Sequence, residues 1–366
     1  MIISINSVAI SSQLSNKITA NTRKKVQSII MQRQYVIAGI SGFALVGVML
    51  GGCNPLQPEE DTLTIYSGRG EDLIGPLIQQ AEEDLGFNIE VRYGDTAELA
   101  TTIMEEGENS PADLFFGQDA GALGALKQEG RTVTIPSEIL NEVDSRFRDE
   151  DGQWMGITGR SRVVAYNENQ VSEDELPDSV WDLTSEEYRG RVGWAPTNGS
   201  FQAFVTAMRL VEGDERTKQW LEDMNANDPQ VYSNNTTTVE AIGRGEVDMG
   251  LVNNYYLFRF LADDPDFPVQ HHYTRGDAAS MVNIAGVSVL DTADDTSQAF
   301  EFINYLVSEE SQTFFAAETK EYPLIPGMEP PADQLELDEI DPPEIDLGNL
   351  EDLEGTLSLL QEAGVL

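Results

Sequence analysis

The order of apolar and polar positions predicts alternating strands and helices from residue 62 onward. The stretch "TLTIYS" is typical of a buried strand, and the apolar positions of residues 71–84 recur at the spacing of one helical face. "NIEVRYG" alternates as a strand does, a second helix ends at Gly107, and "ADLFFG" is typical of a third strand. Because strand and helix alternate over short connections, this part predicts an α/β unit with a mainly parallel sheet.

The pattern changes at "DGQWMGITGRSRVVAYNENQV", where two strand-like runs flank "TGR" with no helix between them. A long stretch with its own helices and strands follows, and after residue 280 the strand "NIAGVSVL" precedes a long amphipathic helix. We expect two mixed α/β lobes, with hinges near 158–162 and 283–286 and a ligand cleft between the lobes. The predicted boundaries are 62–158 with 286–335 for lobe 1, and 159–285 with 336–366 for lobe 2.

The N-terminal 53 residues have the pattern of an export signal. They contain no Asp or Glu, and an apolar run over residues 35–52 ends at Cys53, the only cysteine of the chain, before an acidic linker over residues 54–61. The ending "LGGC" resembles a lipoprotein signal-peptide box, in which Cys53 would be lipidated. An uncut membrane anchor is the alternative. Either would place the rest of the chain outside the cytoplasmic membrane, and Met31 offers a second start that would leave out residues 1–30.

The charge balance narrows the possible partners. The chain has 64 acidic and 22 basic residues, and its net charge is −42. Such a surface excludes binding to nucleic acid or to an anionic membrane by charge. It is typical of a protein in concentrated salt, where self-repulsion is screened. The regular apolar periodicity and the 8% aromatic content argue against an acidic disordered chain.

Residues for catalysis are scarce, so we do not expect an enzyme. The only histidines are His271 and His272, and no G-x-S-x-G elbow, phosphate-binding G-K-[ST] loop or His/Cys cluster occurs. Because Asp and Glu occur throughout the sequence, two carboxylates close together in it are explained by a solvated surface rather than by a catalytic acid/base pair.

The tyrosine pair in "DMGLVNNYYLF" offers hard oxygen ligands. A phenolate has a pKa of about 10, so at neutral pH it needs a strong cation such as Fe³⁺ to form. Asn254 would cap a helix that carries Tyr255 and Tyr256 in its first turn. Helical neighbours point about 100° apart, so on a uniform packing face only one ring would be buried. Ordinary aromatic packing is the alternative.

Several segments resemble the periplasmic ferric-iron-binding proteins of ABC importers, which are type II periplasmic binding proteins. They are "RYGDTAELATTIMEEGENSPADLFFGQDAGALGAL", "TGRSRVVAYN", "DLTSEEYRGRVGWAPTNGSFQAFVTAM" and "VYSNNTTTVEAIGRGEVDMGLVNNYY", in the order of that family. The similarity covers about residues 61–325. It implies a monomeric extracytoplasmic protein that captures Fe³⁺ in an interlobe cleft and delivers it to an ABC permease and its ATPase. The "LGGC" ending would add a lipid anchor at Cys53.

The resemblance also implies metal ligands. In that family a tyrosine pair binds Fe³⁺, which here gives Tyr255 and Tyr256, and some branches add a tyrosine that matches Tyr166 in "VVAYN". The family's histidine falls at Gly70 and its glutamate at Gly117, so both ligands are absent. A mostly tyrosine site finished by water or a small anion is therefore expected. Tyr66 and Glu71 are further candidates, although strand-end packing explains Tyr66 equally well.

A synergistic anion such as carbonate would need cationic or N–H donors. The family binds its anion with the turn "TNGSF", where free N–H groups open a helix, and with two asparagines. Helix capping and salt bridging at the edge of the cleft are the alternatives. The anion-binding candidates are Arg69, Arg160, Arg162, Gln118, Asn198, Gly199, Ser200, Asn235 and Asn253. Two rival hypotheses stay open: a protein of the same fold that binds an organic ligand or oxyanion, and an enzyme.

Overall fold

The computed structural model describes residues 62–293, 295–332 and 334–366. The predicted signal peptide, the lipidation of Cys53 and the linker lie outside the described residues. No helix in the described ranges is both long and apolar enough to span a membrane.

Ten strands and eleven α-helices make up the described part. The strands are β1 Thr62–Ser67, β2 Asn88–Tyr93, β3 Leu114–Gly117, β4 Met155–Asn167, β5 Val192–Trp194, β6 Gln230–Val231, β7 Met249–Asn253, β8 Val269–His272, β9 Val282–Val289 and β10 Tyr322–Pro323. The helices are α1 Glu71–Leu85, α2 Thr96–Glu106, α3 Ala120–Gln128, α4 Ser137–Leu140, α5 Gly199–Glu212, α6 Asp214–Ala226, α7 Asn235–Gly243, α8 Leu257–Asp263, α9 Thr296–Leu306, α10 Glu309–Phe314 and α11 Leu353–Glu362.

The strands form one mixed sheet in the order β2-β1-β3-β9-β4-β7-β5-β6, with β8 and β10 also paired to β4. Strand β1 is parallel to β2 and β3, and β5 is parallel to β6 and β7. Each antiparallel pairing of the described strands involves β4 or β9. The mainly parallel sheet expected for the first unit is correct for the pairings among the first three strands. Strand β3 also pairs antiparallel with β9, which comes from the C-terminal part of the chain.

Strand β4 connects the two halves of the sheet. Residues 155–161 pair with β9, and residues 162–166 pair with β7. The expectation of two strands flanking "TGR" is wrong, since Gly159 lies inside one strand and pairs with both Ile284 and Tyr322. Pairing with two distant strands outweighs the poor strand propensity of glycine. Strand β4 exchanges its partner β9 for β7 between residues 161 and 162, within the predicted hinge 158–162. The lobe boundaries remain a prediction.

The C-terminal segment packs on helices that flank both halves of the sheet. The 3₁₀ turn Leu347–Glu351 lies on α3, where a Cβ at Gly121 would be 2.6 Å from the Leu350 carbonyl oxygen and one at Gly124 would be 2.2 Å from that of Gly348. Only glycine admits the backbone so closely. Immediately afterwards α11 packs on α5 and α6.

Aromatic packing fixes the start of α5, which matters for the site. The ring centroid of Phe201 lies 5.5 Å from that of Trp194 at the end of β5, and Phe204 lies 5.6 Å from Trp220 on α6. Both contacts are edge-on, the geometry that aromatic quadrupoles favour. All four side chains are buried, so the N-terminus of α5 is held against the sheet.

Candidate metal and anion site

The tyrosine pair lies where β7 ends. A 3₁₀ turn, Asn254–Tyr256, follows the strand and leads directly into α8. Asn254 does not cap the helix as expected. Its side chain is buried and its Oδ1 accepts from the Ser161 backbone N–H at 2.9 Å, which fastens the turn to β4. The position of the pair therefore depends on a contact between residues far apart in sequence.

Both tyrosine rings are half-buried, whereas uniform helical packing would have buried one. The ring centroids of Tyr255 and Tyr256 are 4.4 Å apart with an interplanar angle of 28°, so the rings stack. Both side chains line two cavities, of about 670 Å³ and about 470 Å³. Stacking keeps the two rings together beside these cavities.

Arg162 places a buried cation next to the pair. Its side chain is 2% exposed, and no carboxylate of the described residues lies within 4 Å of it. Nη2 donates to the Leu251 carbonyl oxygen at 2.8 Å and Nη1 to Asn253 Oδ1 at 3.2 Å, while Nε has no partner. Burial lowers the pKa of Arg162 to about 9. A buried charge without a counter-ion is costly, so the site favours an anion here.

The predicted anion turn converges on this arginine. Asn198 caps α5 by accepting from the Ser200 backbone N–H at 3.0 Å. The Ser200 hydroxyl accepts from Arg162 Nη1 at 3.3 Å and from Asn235 Nδ2 at 2.9 Å. The Asn235 side chain is buried and its Oδ1 has no partner. The capping residue Asn198 and the donors Arg162 and Ser200 therefore line the larger cavity together. Gly199 and Asn253 line the same cavity.

A second charged cluster lies on the other side of Tyr255. Glu321, which is 2% exposed, binds Arg69 Nη2 at 2.5 Å and lies 3.8 Å from Arg160 Nη1. Arg160 also donates to the Gln118 carbonyl oxygen. Sequence reasoning found the arginines and Gln118 but missed Glu321. Its partners are up to 252 positions away, so no local pattern could have revealed it.

These surroundings act on the hydroxyl of Tyr255. Burial raises the pKa of Tyr255, and the neighbouring Tyr256 and Glu321 raise it further, while Arg160 opposes the rise. Without a bound cation, Tyr255 is therefore a neutral phenol at neutral pH. A cation that binds through this oxygen must displace the proton.

Three other candidate ligands are not brought to the pair. Tyr166 lies four residues beyond Arg162 on β4, about 13 Å along an extended strand, and lines neither cavity. The Tyr66 hydroxyl bonds to Glu106 and accepts from Arg92 Nη1 at 3.0 Å. Glu71 is exposed at the start of α1. The described residues also contain no cluster of three or more His, Cys, Asp or Glu side chains suited to a metal.

Comparison with known proteins defines the class. The family described as bacterial extracellular solute-binding protein matches residues 77–339. Iron uptake protein A1 of Synechocystis is 31% identical over 325 residues, covering 82% of this chain and 88% of the relative. The major ferric iron-binding protein of Neisseria meningitidis is 27% identical, with 88% and 98% covered. Iron-bound HitA from Pseudomonas aeruginosa matches with a TM-score of 0.76 at 32% identity, covering 83% and 99%.

The chain therefore belongs to the bacterial extracellular solute-binding proteins. Its relatives there carry the names of ferric-iron-binding and iron-uptake proteins, so the resemblance predicted from the sequence is confirmed. The expected fold class, a mixed α/β periplasmic-binding-protein fold, is confirmed as well. This is a family of solute-binding transport proteins rather than of enzymes.

Proposed function

We propose that this chain is an extracytoplasmic ferric-iron-binding protein and takes Fe³⁺ as its cargo through the phenolate oxygens of Tyr255 and Tyr256. The observation that carries the proposal is the stacked pair on the wall of two cavities, with buried arginines beside it. Phenolates are hard anionic donors suited to a trivalent hard cation. The names of the relatives support the same cargo.

An anion such as carbonate would complete the coordination. Two phenolates leave one positive charge on Fe³⁺, and the buried Arg162 adds another beside it. An anion between the metal and Arg162 would bind both, with the Ser200 hydroxyl and the Asn253 amide close by. Charge-assisted hydrogen bonds of this kind are about twice as strong as neutral ones.

The ligand set would be reduced compared with the family pattern. Gly70 and Gly117 stand where the resemblance implies a histidine and a glutamate, and neither can donate a side-chain ligand. Tyr166 is left out because it lies four residues beyond Arg162 on β4 and lines neither cavity. Water or the anion would then fill the remaining positions.

Closure of the cleft and delivery of the iron are expected of a solute-binding protein. Ligands or anion donors from both predicted lobes would stabilise a closed form about the hinges near 158–162 and 283–286. A solute-binding protein of this kind would pass its iron, as a monomer, to an ABC permease and its ATPase. Lipidation at Cys53 would hold it at the outer face of the cell membrane.

The test is to add ferric nitrilotriacetate to the metal-free protein in bicarbonate buffer and record the visible spectrum. We expect a phenolate-to-iron charge-transfer band that saturates at one iron per chain. A colourless protein at saturation would contradict the proposal.

A second candidate function is the binding of an oxyanion or small organic anion without iron. Arg162 favours it, because this buried cation has no carboxylate partner among the described residues and its Nε has no hydrogen-bond partner. Calorimetric titration of the metal-free protein with carbonate or citrate distinguishes the two. Tight binding of the anion alone, together with a colourless iron titration, would select this second function.

A further inference from the structure

The C-terminal segment, residues 347–366, connects the two predicted lobes at the cavity of the tyrosine pair. Its 3₁₀ turn Leu347–Glu351 lies on α3 of predicted lobe 1, and α11 packs on α5 and α6 of predicted lobe 2. Three residues where the two parts join line the larger cavity: Leu350, Glu351 and Leu353. The segment is therefore attached on both sides of this cavity, in addition to the connection that β4 and β9 make.

The attachment to α3 depends on two glycines on one face of that helix. A Cβ on Gly121 would lie 2.6 Å from the Leu350 carbonyl oxygen, and a Cβ on Gly124 would overlap the Gly348 carbonyl oxygen. Residues three apart share a helical face, so the two glycines leave a groove for the backbone of the turn. Glycine destabilises a helix interior relative to alanine, and the docked turn offsets that cost.

Few polar contacts hold the turn in this groove. Among the described residues one hydrogen bond joins the turn to α3, in which the exposed Gln128 Nε2 donates to Glu351 Oε1 at 2.6 Å. Leu347 and Leu350 of the turn are buried, so the rest of the attachment is backbone and apolar packing. Separation of the turn from α3 therefore breaks a single hydrogen bond, and that bond is accessible to solvent.

The attachment to predicted lobe 2 is stronger. The hydroxyls of Thr356 on α11 and Thr206 on α5 are buried, with their oxygens 2.8 Å apart. Lys218 on α6 binds the Glu362 carboxylate at 2.9 Å, and Leu360 on α11 is completely buried. These contacts run along α11, so we expect this helix to move together with α5 and α6.

A single residue, Asp352, separates the two attachments, since the turn ends at Glu351 and α11 begins at Leu353. One residue spans at most about 3.6 Å, so this joint allows little separation of α3 from α5 while both attachments hold. A wider opening of the cleft must break one of them. The attachment to α3 has fewer polar contacts, so it is the one that breaks.

We propose that the turn Leu347–Glu351 is a clasp, which holds the cleft closed while it lies in the glycine groove of α3 and leaves that groove when the cleft opens. This inference rests on the proposed function for the closure of the two lobes and for iron as the reporter. Because the joint forms part of the cavity wall, the clasp controls how fast the cargo leaves, as a closing loop does in many binding sites.

The first test fills the groove. Gly121→Ala/Gly124→Ala places methyl groups where carbonyl oxygens of the turn lie, so the turn cannot dock on α3. We expect iron to pass to excess chelator about tenfold faster than from wild type, measured as the decay of the charge-transfer band. Gly75→Ala on α1 is the matched control, because its Cβ would make only an ordinary contact with Glu71, 3.5 Å away, and its release rate should be that of wild type. Release at the wild-type rate from the double variant would contradict the clasp.

The second test locks the clasp, and it decides the question even if the alanine variant does not fold. Gln128→Cys/Glu351→Cys carries thiols at two positions whose side chains are in contact, and Cys53→Ser removes the only native cysteine. A short bifunctional maleimide joins the two thiols, and the same protein capped with N-ethylmaleimide is the control. We expect the crosslink to slow iron release by at least about tenfold. We also expect the metal-free crosslinked protein to have a smaller radius of gyration in small-angle X-ray scattering than the capped protein.

Equal radii, or equal release rates, in the crosslinked and capped proteins would overturn the clasp and leave the proposed function intact. Absence of the charge-transfer band in wild type would instead overturn the proposed function. The comparison of the two metal-free radii would then still decide whether the turn Leu347–Glu351 holds the cleft closed.

Discussion

Two pairs of tyrosines in this protein have contrasting surroundings. Tyr255 and Tyr256 stack beside two cavities, among Arg160, Arg162 and Arg259. Tyr273 and Tyr322 meet through their hydroxyls, with the two oxygens 3.1 Å apart, and Tyr322 is completely buried. Among the described residues, cations lie close to the rings and hydroxyls of the first pair and not of the second.

The contrast shows what makes a phenol a candidate metal ligand. Burial raises the pKa of Tyr255, Tyr273 and Tyr322 alike. Near Tyr255, however, Arg160 offsets part of that rise, whereas Glu336 adds to it near Tyr322. In addition, the hydroxyls of the second pair satisfy each other. Residue type is the same in both pairs, so charge and access decide the difference.

The largest expected effect comes from removing the hydroxyls of each tyrosine pair in turn. Tyr255→Phe/Tyr256→Phe should abolish the charge-transfer band and weaken iron binding by more than about a thousandfold, or about 4 kcal/mol, because two anionic ligands are lost. The measurement is iron affinity against a competing chelator.

Tyr273→Phe/Tyr322→Phe is the matched control for that experiment. It removes one hydroxyl–hydroxyl bond, so we expect normal iron binding and a loss of about 1 kcal/mol of unfolding free energy. If the second double variant also lost the band, or the first kept it, the assignment of the metal site would be wrong.

The next effect is on pH dependence. The raised pKa of Tyr255 means that the empty site is protonated at neutral pH and that iron must release this proton. Affinity should therefore fall as pH falls, by about tenfold per pH unit for each phenol proton released, and so by at least about a hundredfold from pH 8 to pH 6. A pH-stat titration that counts protons released per iron checks this, and a count of zero would refute phenolate ligation.

The smallest of the three effects concerns the anion. Arg162→Gln should remove the cation behind the anion turn, so iron affinity should no longer rise with bicarbonate and should be about tenfold lower at saturating bicarbonate. Arg209→Gln is the control, since Arg209 on α5 instead binds Asp214 and Asp352. Unchanged bicarbonate dependence in Arg162→Gln would exclude Arg162 from the anion site.

Several parts of the site were predictable because their signals are local. The "NNYY" sequence after a strand indicated the pair, and "TNGSF" indicated a helix start that the structure confirms with Asn198 as its cap. Arg162 was predictable as a candidate, although its burial without a carboxylate was not. The alternation of strands and helices likewise predicted the α/β class.

Other parts were not predictable, because they depend on residues far apart in sequence. Glu321 meets Arg69 across 252 positions, and Asn254 holds the tyrosine turn through Ser161, 93 positions away. "TGR" looked like a break between strands, yet pairing with β9 and β10 keeps it extended. The family resemblance implied Tyr166 as a ligand, but Tyr166 lies four residues beyond Arg162 on β4 and lines neither cavity.

The sequence by itself determined the class of protein, the tyrosine pair and the turn at the start of α5, since each depends on residues that are close together in the chain. Only the tertiary structure decided which tyrosines share a cavity and which cations remain without a carboxylate. Burial, charge pairing and cavity volume arise when distant segments pack together. For that reason a stretch as short as "NNYY" could suggest a site, while only the fold shows that β4 brings the buried Arg162 to the same cavity.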